Sequence, residues 1–218
     1  MNKTRKITLI GMFSALAYVF TLVGHFIPIS FTDFLRYDPK DAIIVIAGLS
    51  LGCVPALVIS VVVAFLELIT ISTTGIIGFA MNVLSSASFA CVASLVYGKI
   101  RSIGGAAVGL TLSSALTVAL MLLWNYLITP LYMGVPREVV EGMLLPIMLP
   151  FNVIKCGLNS ALTMLIYKPC ITALRKIGLI KSQGNEEKTK VKINPVAIIL
   201  SIGVMAVMIV LFVTLKKS

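Results

Sequence analysis

Among the polar side chains in the long hydrophobic segments of this 218-residue chain, six amide or charged ones are of most interest. They are Glu67, Asn82, Asn125, Asn152, Lys155 and Asn159. A lysine at the centre of a membrane-spanning helix costs roughly 2.5–3.5 kcal/mol on insertion scales, so such residues are usually functional. Asn152, Lys155 and Asn159 are spaced three and four residues apart, and an α-helix places them on one face. Because lipid offers no hydrogen bonds, we expect this face to point into a helix bundle.

Lys155 is the most informative of these residues, because it lies near the middle of its hydrophobic segment. One interpretation is a pocket that hydrogen-bonds a small polar or flat ligand, with Lys155 and the asparagines as its specificity groups. The other interpretation is a structural clamp between helices, formed by Asn152, Lys155 and Glu67. The sequence pattern is compatible with both.

The remaining polar residues also have two interpretations each. Asn125 lies between Trp124 and Tyr126, which favour the membrane interface whatever the function. Glu67 is near the end of its segment and could reach the lipid headgroups, and Asn82 could form a hydrogen bond between helices. We keep all three polar residues as candidates for ligand binding beside these structural roles.

Common motifs for catalysis and metal binding are absent from the sequence. It contains no G-x-x-x-x-G-K-[ST], G-x-S-x-G or H-E-x-x-H pattern, so we predict neither an ATPase nor another enzyme. His25 stands apart from any cluster of metal-ligand residues, and the four cysteines form no C-x-x-C pair. We therefore predict no metal site and no cofactor.

The composition places these residues in a membrane protein. Hydrophobic residues make up 59% of the chain, charged residues make up 12%, and the mean hydropathy is +1.07. Soluble domains contain roughly 45–50% apolar and about 25% charged residues, and a chain of this size cannot hide so much apolar surface in one core. The chain has a formal net charge of +10. In membrane proteins such an excess of Lys and Arg usually lies in cytoplasmic segments, which face anionic lipid headgroups.

Six hydrophobic segments are predicted to cross the membrane. They cover 7–24, 39–52, 54–71, 76–97, 104–128 and 143–167. Basic residues before the first segment and after the fourth favour the cytoplasmic side, which requires an even number of crossings between them. The N-terminus is therefore predicted to be cytoplasmic, with outer connections after the first, third and fifth segments.

The second segment is short for a spanning helix. Asp38 is predicted to be its N-cap, Pro39 suits the first helical position, and Asp41 occupies the position of a capping-box acid. A helix over 39–52 is about 21 Å long, whereas the hydrocarbon core is about 30 Å thick. We expect the rest of the bundle to shelter this helix, or the bilayer to thin around it.

A further hydrophobic segment follows the sixth. We divide the chain into a six-helix domain at 1–177, a basic cytoplasmic linker at 178–193 and an additional membrane-spanning helix at 194–218. The last segment has few polar residues, so membrane anchoring is its simplest role. The predicted fold class is all-α, a six-transmembrane-helix bundle with an appended seventh helix.

Three short stretches together resemble a known transporter family. They are Phe34-Leu35-Arg36-Tyr37-Asp38-Pro39-Lys40-Asp41, Asn125-Tyr126 and Leu149-Pro150-Phe151-Asn152-Val153-Ile154-Lys155. Across 1–177 the chain resembles the riboflavin-specific S component of energy-coupling factor (ECF) transporters. The resemblance implies a subunit of the bacterial cytoplasmic membrane that binds riboflavin, or a related flavin, near the outer face. It also implies partners, namely a transmembrane coupling protein and two cytoplasmic ATPase subunits.

The resemblance further implies roles for individual residues. At matching positions, Asn125, Asn152 and Lys155 would hydrogen-bond the polar edge of the isoalloxazine ring. The connection before the second segment would cap the site from outside. Its residues at the site would be Leu35, Asp38 and Asp41.

The first segment carries small residues four positions apart, Gly11 and Ala15. This spacing permits a close approach of another helix, within the bundle or from a partner. The resemblance implies that Gly11 and Ala15 face the coupling protein.

Two other functions stay as alternatives. The chain could be an S component for another heterocyclic vitamin or precursor. It could also be a stand-alone secondary transporter, for which Glu67 and Lys155 form the candidate ion-coupling pair. A membrane-embedded transferase would require a reactive cluster that we do not find in the sequence.

Overall fold

The computed structural model describes residues 3–26, 30–32, 35–176 and 195–217. The helices in these ranges are α1 (Lys3–Phe26), α2 (Lys40–Leu51), α3 (Cys53–Thr70), α4 (Gly75–Lys99), α5 (Ile103–Met133), α6 (Arg137–Met143), α7 (Leu149–Lys176) and α8 (Pro195–Lys217). The linker predicted at 178–193 lies outside the described residues.

Six helical stretches in the described part of the chain are long and apolar enough to cross a membrane. They are α1, α3, α4, α5, the continuous stretch from α6 into α7, and α8. Together with the shorter α2, they correspond in order to the six predicted segments and the appended helix. The all-α membrane fold predicted from the sequence is confirmed, whereas its orientation in the membrane stays a prediction.

The short second helix lies at the centre of the bundle. α2 has 12 residues and is therefore about 18 Å long. It contacts α1, α3, α4 and α7, and its residues from Ala42 to Ala47 are at most 3% exposed. Other helices thus surround α2, as predicted for a helix too short to span the bilayer alone.

The start of α2 agrees only in part with the prediction. The helix begins at Lys40 with Pro39 at the N-cap position, yet Oδ1 of Asp38 accepts a 3.1 Å hydrogen bond from the backbone N–H of Lys40. The carboxylates of Asp38 and Asp41 also pair with Lys40 and Lys155. Asp38 therefore has two roles, because it holds the first N–H of α2 as a capping residue does and it balances a buried charge.

A single glycine joins α2 to α3. Gly52 has a φ of +98°, a backbone conformation that glycine adopts readily because it has no Cβ. Its N–H donates to the carbonyl of Gly48 and so closes the last turn of α2. The chain then enters α3 at Cys53 without a connecting loop.

The stretch at 129–142 was predicted to be an outer connection between helices, but most of it is helical, and its outer location stays a prediction. α5 continues through Pro130 to Met133, and Gly134 ends it with a φ of +64°. The carbonyl of Pro130 accepts hydrogen bonds from the N–H groups of Gly134 and Val135, so the proline lies within a well-closed last turn. The connection to α6 is reduced to a few residues.

A π-helical segment, Leu144–Met148, joins α6 to α7. Pro146 lies within this segment and Pro150 lies just after it. Neither proline has the backbone N–H of a regular helix, and a local widening is a common way for a helix to continue past such positions. The chain therefore passes from α6 into α7 without a loop.

Two short antiparallel strands lie between α1 and α2, where the sequence predicted an outer connection. β1 (Ser30–Thr32) pairs with β2 (Leu35–Arg36). The strand pair brings 35–38, which we call the cap segment, over the end of the bundle.

α8 packs along α7 through an apolar cluster. Phe212 is 8% exposed and packs against Ile154 and Leu158. Gly157 allows a close approach, because a Cβ at this position would lie 2.6 Å from the Cε of Met208. The appended helix is thus part of the packed bundle.

Candidate functional site

A partly open cavity of about 150 Å³ lies at one end of the bundle. The lining comes from the ends of α1, α3 and α5, the beginnings of α4 and α7, the cap segment and the α3–α4 connection. The connections at this end are those that the distribution of Lys and Arg predicts to be outside. The cavity is therefore expected to open to the outer face.

Lys155 reaches this cavity from α7. Its Nζ lies 3.2 Å from a carboxylate oxygen of Asp41 and donates a 3.4 Å hydrogen bond to Ser85 Oγ. Asp41 also accepts a 2.5 Å hydrogen bond from Ser86. An ammonium has three N–H donors, so these two contacts leave one donor for a molecule in the cavity. The lysine is balanced by a carboxylate and still faces open space.

Two asparagines line the same cavity from α5 and α7. Asn125 Nδ2 donates to the carbonyl of Met121, and Asn152 Nδ2 donates to the carbonyl of Met148, each at 2.8 Å. Thr129 Oγ1 donates to Asn125 Oδ1 at 2.8 Å. An amide group has two N–H donors and two lone pairs, so bonds to its own helix orient it and leave capacity for a ligand.

Glu67 belongs to a second charged network. Its Oε1 lies 2.5 Å from Lys40 Nζ, which also pairs with Asp38 at 2.6 Å. Thr21 donates to Glu67 Oε1 at 3.0 Å, and Asn82 donates to Glu67 Oε2 at 2.8 Å. This network joins α1, α2, α3 and α4, and it also lines the cavity through Asp38, Glu67 and Asn82.

The observed pairing of charges differs from the predicted clamp. The clamp of Asn152, Lys155 and Glu67 is wrong, because Lys155 pairs with Asp41 while Glu67 pairs with Lys40. Each lysine has its own carboxylate partner, which a buried charge requires.

Most of the candidate ligand-binding residues converge on the cavity. Those in its lining are Leu35, Asp38, Glu67, Asn82, Asn125, Asn152 and Lys155. Asp41 is not among the lining residues that the structure describes, and it lies behind Lys155 as the counter-ion. Its direct contact with a ligand stays a prediction that the geometry does not favour.

Asn159 holds the cap segment instead of reaching into the cavity. Its Oδ1 accepts a 3.2 Å hydrogen bond from the Tyr37 hydroxyl, and its Nδ2 donates to the carbonyl of Asp38 at 3.0 Å. Burial raises the pKa of Tyr37, and the nearby charges of Asp41 and Asp38 raise it further. The phenol therefore stays protonated and remains a donor.

Sequence reasoning missed several residues of the site. Lys40, for which the sequence predicted no role of its own, is 1% exposed and pairs with Asp38 and Glu67 beside the cavity. The flanking acids Asp38 and Asp41 were the available signal. Other lining residues for which the sequence predicted no individual role include Arg36, Tyr37, Ser72, Thr73, Thr74 and Ser85.

The proposed partner face is exposed. Gly11 and Ala15 both lie on the outer surface of α1, and a Cβ at Gly11 would meet no atom of the described residues within 4 Å. A helix from another subunit can therefore approach the α1 backbone closely here, as the small-residue spacing predicts.

The residues that the structure describes include no group of three or more His, Cys, Asp or Glu side chains placed to hold a metal ion. The site is instead a hydrogen-bonding cavity at one end of a membrane-embedded helix bundle. Such an arrangement defines a membrane subunit that binds a small solute.

Comparison with known families identifies which class of solute-binding subunit this is. The family model described as "ECF transporter, substrate-specific component" matches residues 5–167. The chain therefore belongs to the substrate-specific components of ECF transporters, and it is a multi-pass protein of the cell membrane.

Two curated bacterial relatives match nearly their whole length. The "Riboflavin transporter RibU" of Staphylococcus aureus (strain TCH60) is 26% identical over 183 residues, covering 81% of this chain and 96% of the relative. The "Riboflavin transporter FmnP" of Bacillus subtilis (strain 168) is 28% identical over 190 residues, covering 79% of this chain and 97% of the relative.

A solved structure, that of the S component of a bacterial ECF transporter, shows the same fold. It matches with a TM-score of 0.68 and 26% sequence identity, and the match covers 99% of that chain but 80% of this one. The family model ends at residue 167, so α8 lies beyond the part that defines the family.

Proposed function

We propose that this chain captures riboflavin at the outer face of the cell membrane and delivers it inward together with an ATP-driven coupling module. The observation that carries this proposal is that Asn125, Asn152 and Lys155 line one cavity, although they come from two helices. Both curated relatives are named as riboflavin transporters, which supports the choice of vitamin.

The chemistry of the three side chains suits the polar edge of a flavin ring. That edge presents two carbonyl oxygens and ring nitrogens as acceptors, with one N–H as a donor. The ammonium and amide N–H groups of Lys155, Asn152 and Asn125 are matching donors, and the amide oxygens are matching acceptors. A flat ring bound by its edge would lie between α5 and α7, next to Phe151 and Met121 in the lining.

The ribityl chain of riboflavin carries hydroxyl groups, which require polar partners of their own. The carboxylates of Asp38 and Glu67 and the amide of Asn82 face the same cavity. Although Lys40 pairs with both acids, a carboxylate has about four acceptor positions and can accept a hydroxyl as well. We infer that this network receives the ribityl hydroxyls.

The partners would be those of the family: a transmembrane coupling protein and two cytoplasmic ATPase subunits. The exposed small residues Gly11 and Ala15 supply the surface for the coupling protein in this proposal. Capture and release of a vitamin change no covalent bond, so the chain would act without a cofactor and without catalysis of its own.

A fluorescence titration tests the proposed ligand. Free riboflavin fluoresces strongly, and stacking in a protein site quenches it, so purified protein should quench added riboflavin in a saturable manner. Thiamine and biotin at the same concentration should not compete. Competition by one of these vitamins, or absence of quenching by protein freed of any co-purified ligand, would contradict the riboflavin assignment.

A further inference from the structure

α8 has a position that simple membrane anchoring does not require. The helix lies beyond the family match, which ends at residue 167, so no role for it follows from the family. Its outer face carries exposed Ile199, Ile202 and Val210 and suits lipid. Its inner face is buried against the helix that carries Lys155.

The contact between α8 and α7 is close. Gly157 on α7 leaves room for the side chain of Met208, whose Sδ would lie 3.1 Å from a Cβ at that position. Phe212 packs beside it against Ile154 and Leu158, which precede and follow Gly157 on α7. α8 therefore packs against the same turn of α7 from which Lys155 reaches the cavity.

The same cluster reaches the cap segment. Tyr37 packs against the apolar cluster of Ile154, Leu158 and Phe212, while its hydroxyl donates to Asn159. Asn159 in turn donates to the carbonyl of Asp38, so residues 37–38 are held on α7 by one apolar and two polar contacts. The cap segment lines the cavity, and Phe212 of α8 belongs to the apolar cluster against which Tyr37 packs.

We propose that α8 is a positioning element of the ligand site: it supports the ring of Tyr37 and thereby keeps the cap segment closed over the cavity. Loss of this support leaves Tyr37 with its contacts to α7 alone, namely packing against Ile154 and Leu158 and the hydrogen bond to Asn159, so the cap segment opens more often. The coupling of α8 to the cap segment needs no ligand. Its consequence for riboflavin retention rests on the function proposed above.

Hydrogen–deuterium exchange of the ligand-free, full-length protein tests the coupling directly. Phe212→Ala should increase the exchange rate of the peptide containing 35–38 by at least about threefold, because local opening becomes more frequent. Val210→Ala is the matched control, since Val210 is on the same helix but 61% exposed. Equal exchange in wild type and Phe212→Ala would overturn the proposal.

A second pair of variants tests the same coupling without removing the Phe212 side chain. Gly157→Val places methyl groups where Met208 lies and should displace α8, raising exchange of the cap segment as Phe212→Ala does. Adding Met208→Ala makes room for the valine and should restore slow exchange. If Gly157→Val and the double variant both exchange like wild type, α8 does not position the cap segment.

The release rate of riboflavin measures the consequence for the ligand. We expect Phe212→Ala to speed release at least about threefold while Val210→Ala releases at the wild-type rate. Unchanged release in a variant whose cap segment exchanges faster would overturn the ligand part of the proposal. If wild-type protein binds no riboflavin, the proposed function fails, and the exchange experiment still decides the role of α8.

Discussion

The two buried lysines of this chain have separate tasks. Lys40 is 1% exposed and is held between Asp38 and Glu67, so it joins the cap segment to α3. Lys155 has Asp41 as its counter-ion but still lines the cavity. The first lysine is therefore structural, and the second is available to a ligand.

Lys155→Met should weaken riboflavin binding about 10- to 100-fold, because a hydrogen bond involving a charged group contributes about 1.5–3 kcal/mol. The single substitution also leaves Asp41 buried without its lysine, which lowers stability. Affinity is measured by fluorescence titration, and the midpoint of thermal unfolding is measured in detergent.

The matched control for this prediction is Lys155→Met combined with Asp41→Asn. Removing both charges should recover most of the lost thermal stability, while riboflavin affinity stays low. Wild-type affinity in the double variant would show that Lys155 serves the packing of the bundle and not the ligand.

The position of a residue in the fold was predictable where the spacing of residues within one segment was sufficient evidence. The spacing of Asn152 and Lys155 predicted an inward-facing helix surface, and both residues line the cavity. The burial of Lys40 was only partly predictable, because its partner Asp38 is two positions away but its other partner, Glu67, is 27 positions away along the chain. The pairing of a charge depends on distances that only the packed helices define.

At the scale of secondary-structure elements, not every glycine or proline near a predicted boundary ends a helix. Pro130 and Gly142 fall between the predicted segments 104–128 and 143–167, yet both lie in helices. Gly52 and Gly134 do end helices, and each has a positive φ. Tertiary packing can extend a helix past a proline near its end, whereas a positive φ is a local requirement of the backbone.

Gly52→Ala should lower the midpoint of thermal unfolding, because a residue with a Cβ at φ 98° and ψ 175° is strained by about 1–3 kcal/mol. Gly98→Ala is the control, since Gly98 lies within α4 and a Cβ there would meet no atom of the described residues within 4 Å. Its midpoint should stay the same or rise. A Gly52→Ala variant as stable as wild type would show that the α2–α3 junction can adopt another conformation.

In the whole molecule, the cavity and the exposed small residues of α1 lie on different parts of the surface. The cavity lies at one end of the bundle, whereas Gly11 and Ala15 lie on its outer side surface. Ligand capture and assembly with a coupling protein can therefore use different surfaces of one subunit.

Gly11→Trp and Ala15→Trp should reduce assembly with the coupling module at least about tenfold, because an indole prevents close helix approach. Riboflavin affinity should remain at the wild-type value in both variants. Co-purification with the coupling protein and ATPases measures assembly, and fluorescence titration measures affinity. Leu112→Trp on the exposed face of α5 is the control. Full assembly of both α1 variants would contradict this docking surface.

The order of amino acids was enough to establish the class of the protein and the number and order of its main helices. The hydrocarbon core tolerates neither unpaired backbone groups nor unpaired charges, so composition and segment length are sufficient evidence for these features. Helix packing, in contrast, set which charges pair, how the cap segment is held and where α8 lies. Tyr37 and Asn159, for example, are 122 positions apart, and their hydrogen bond exists because the packed helices bring them together.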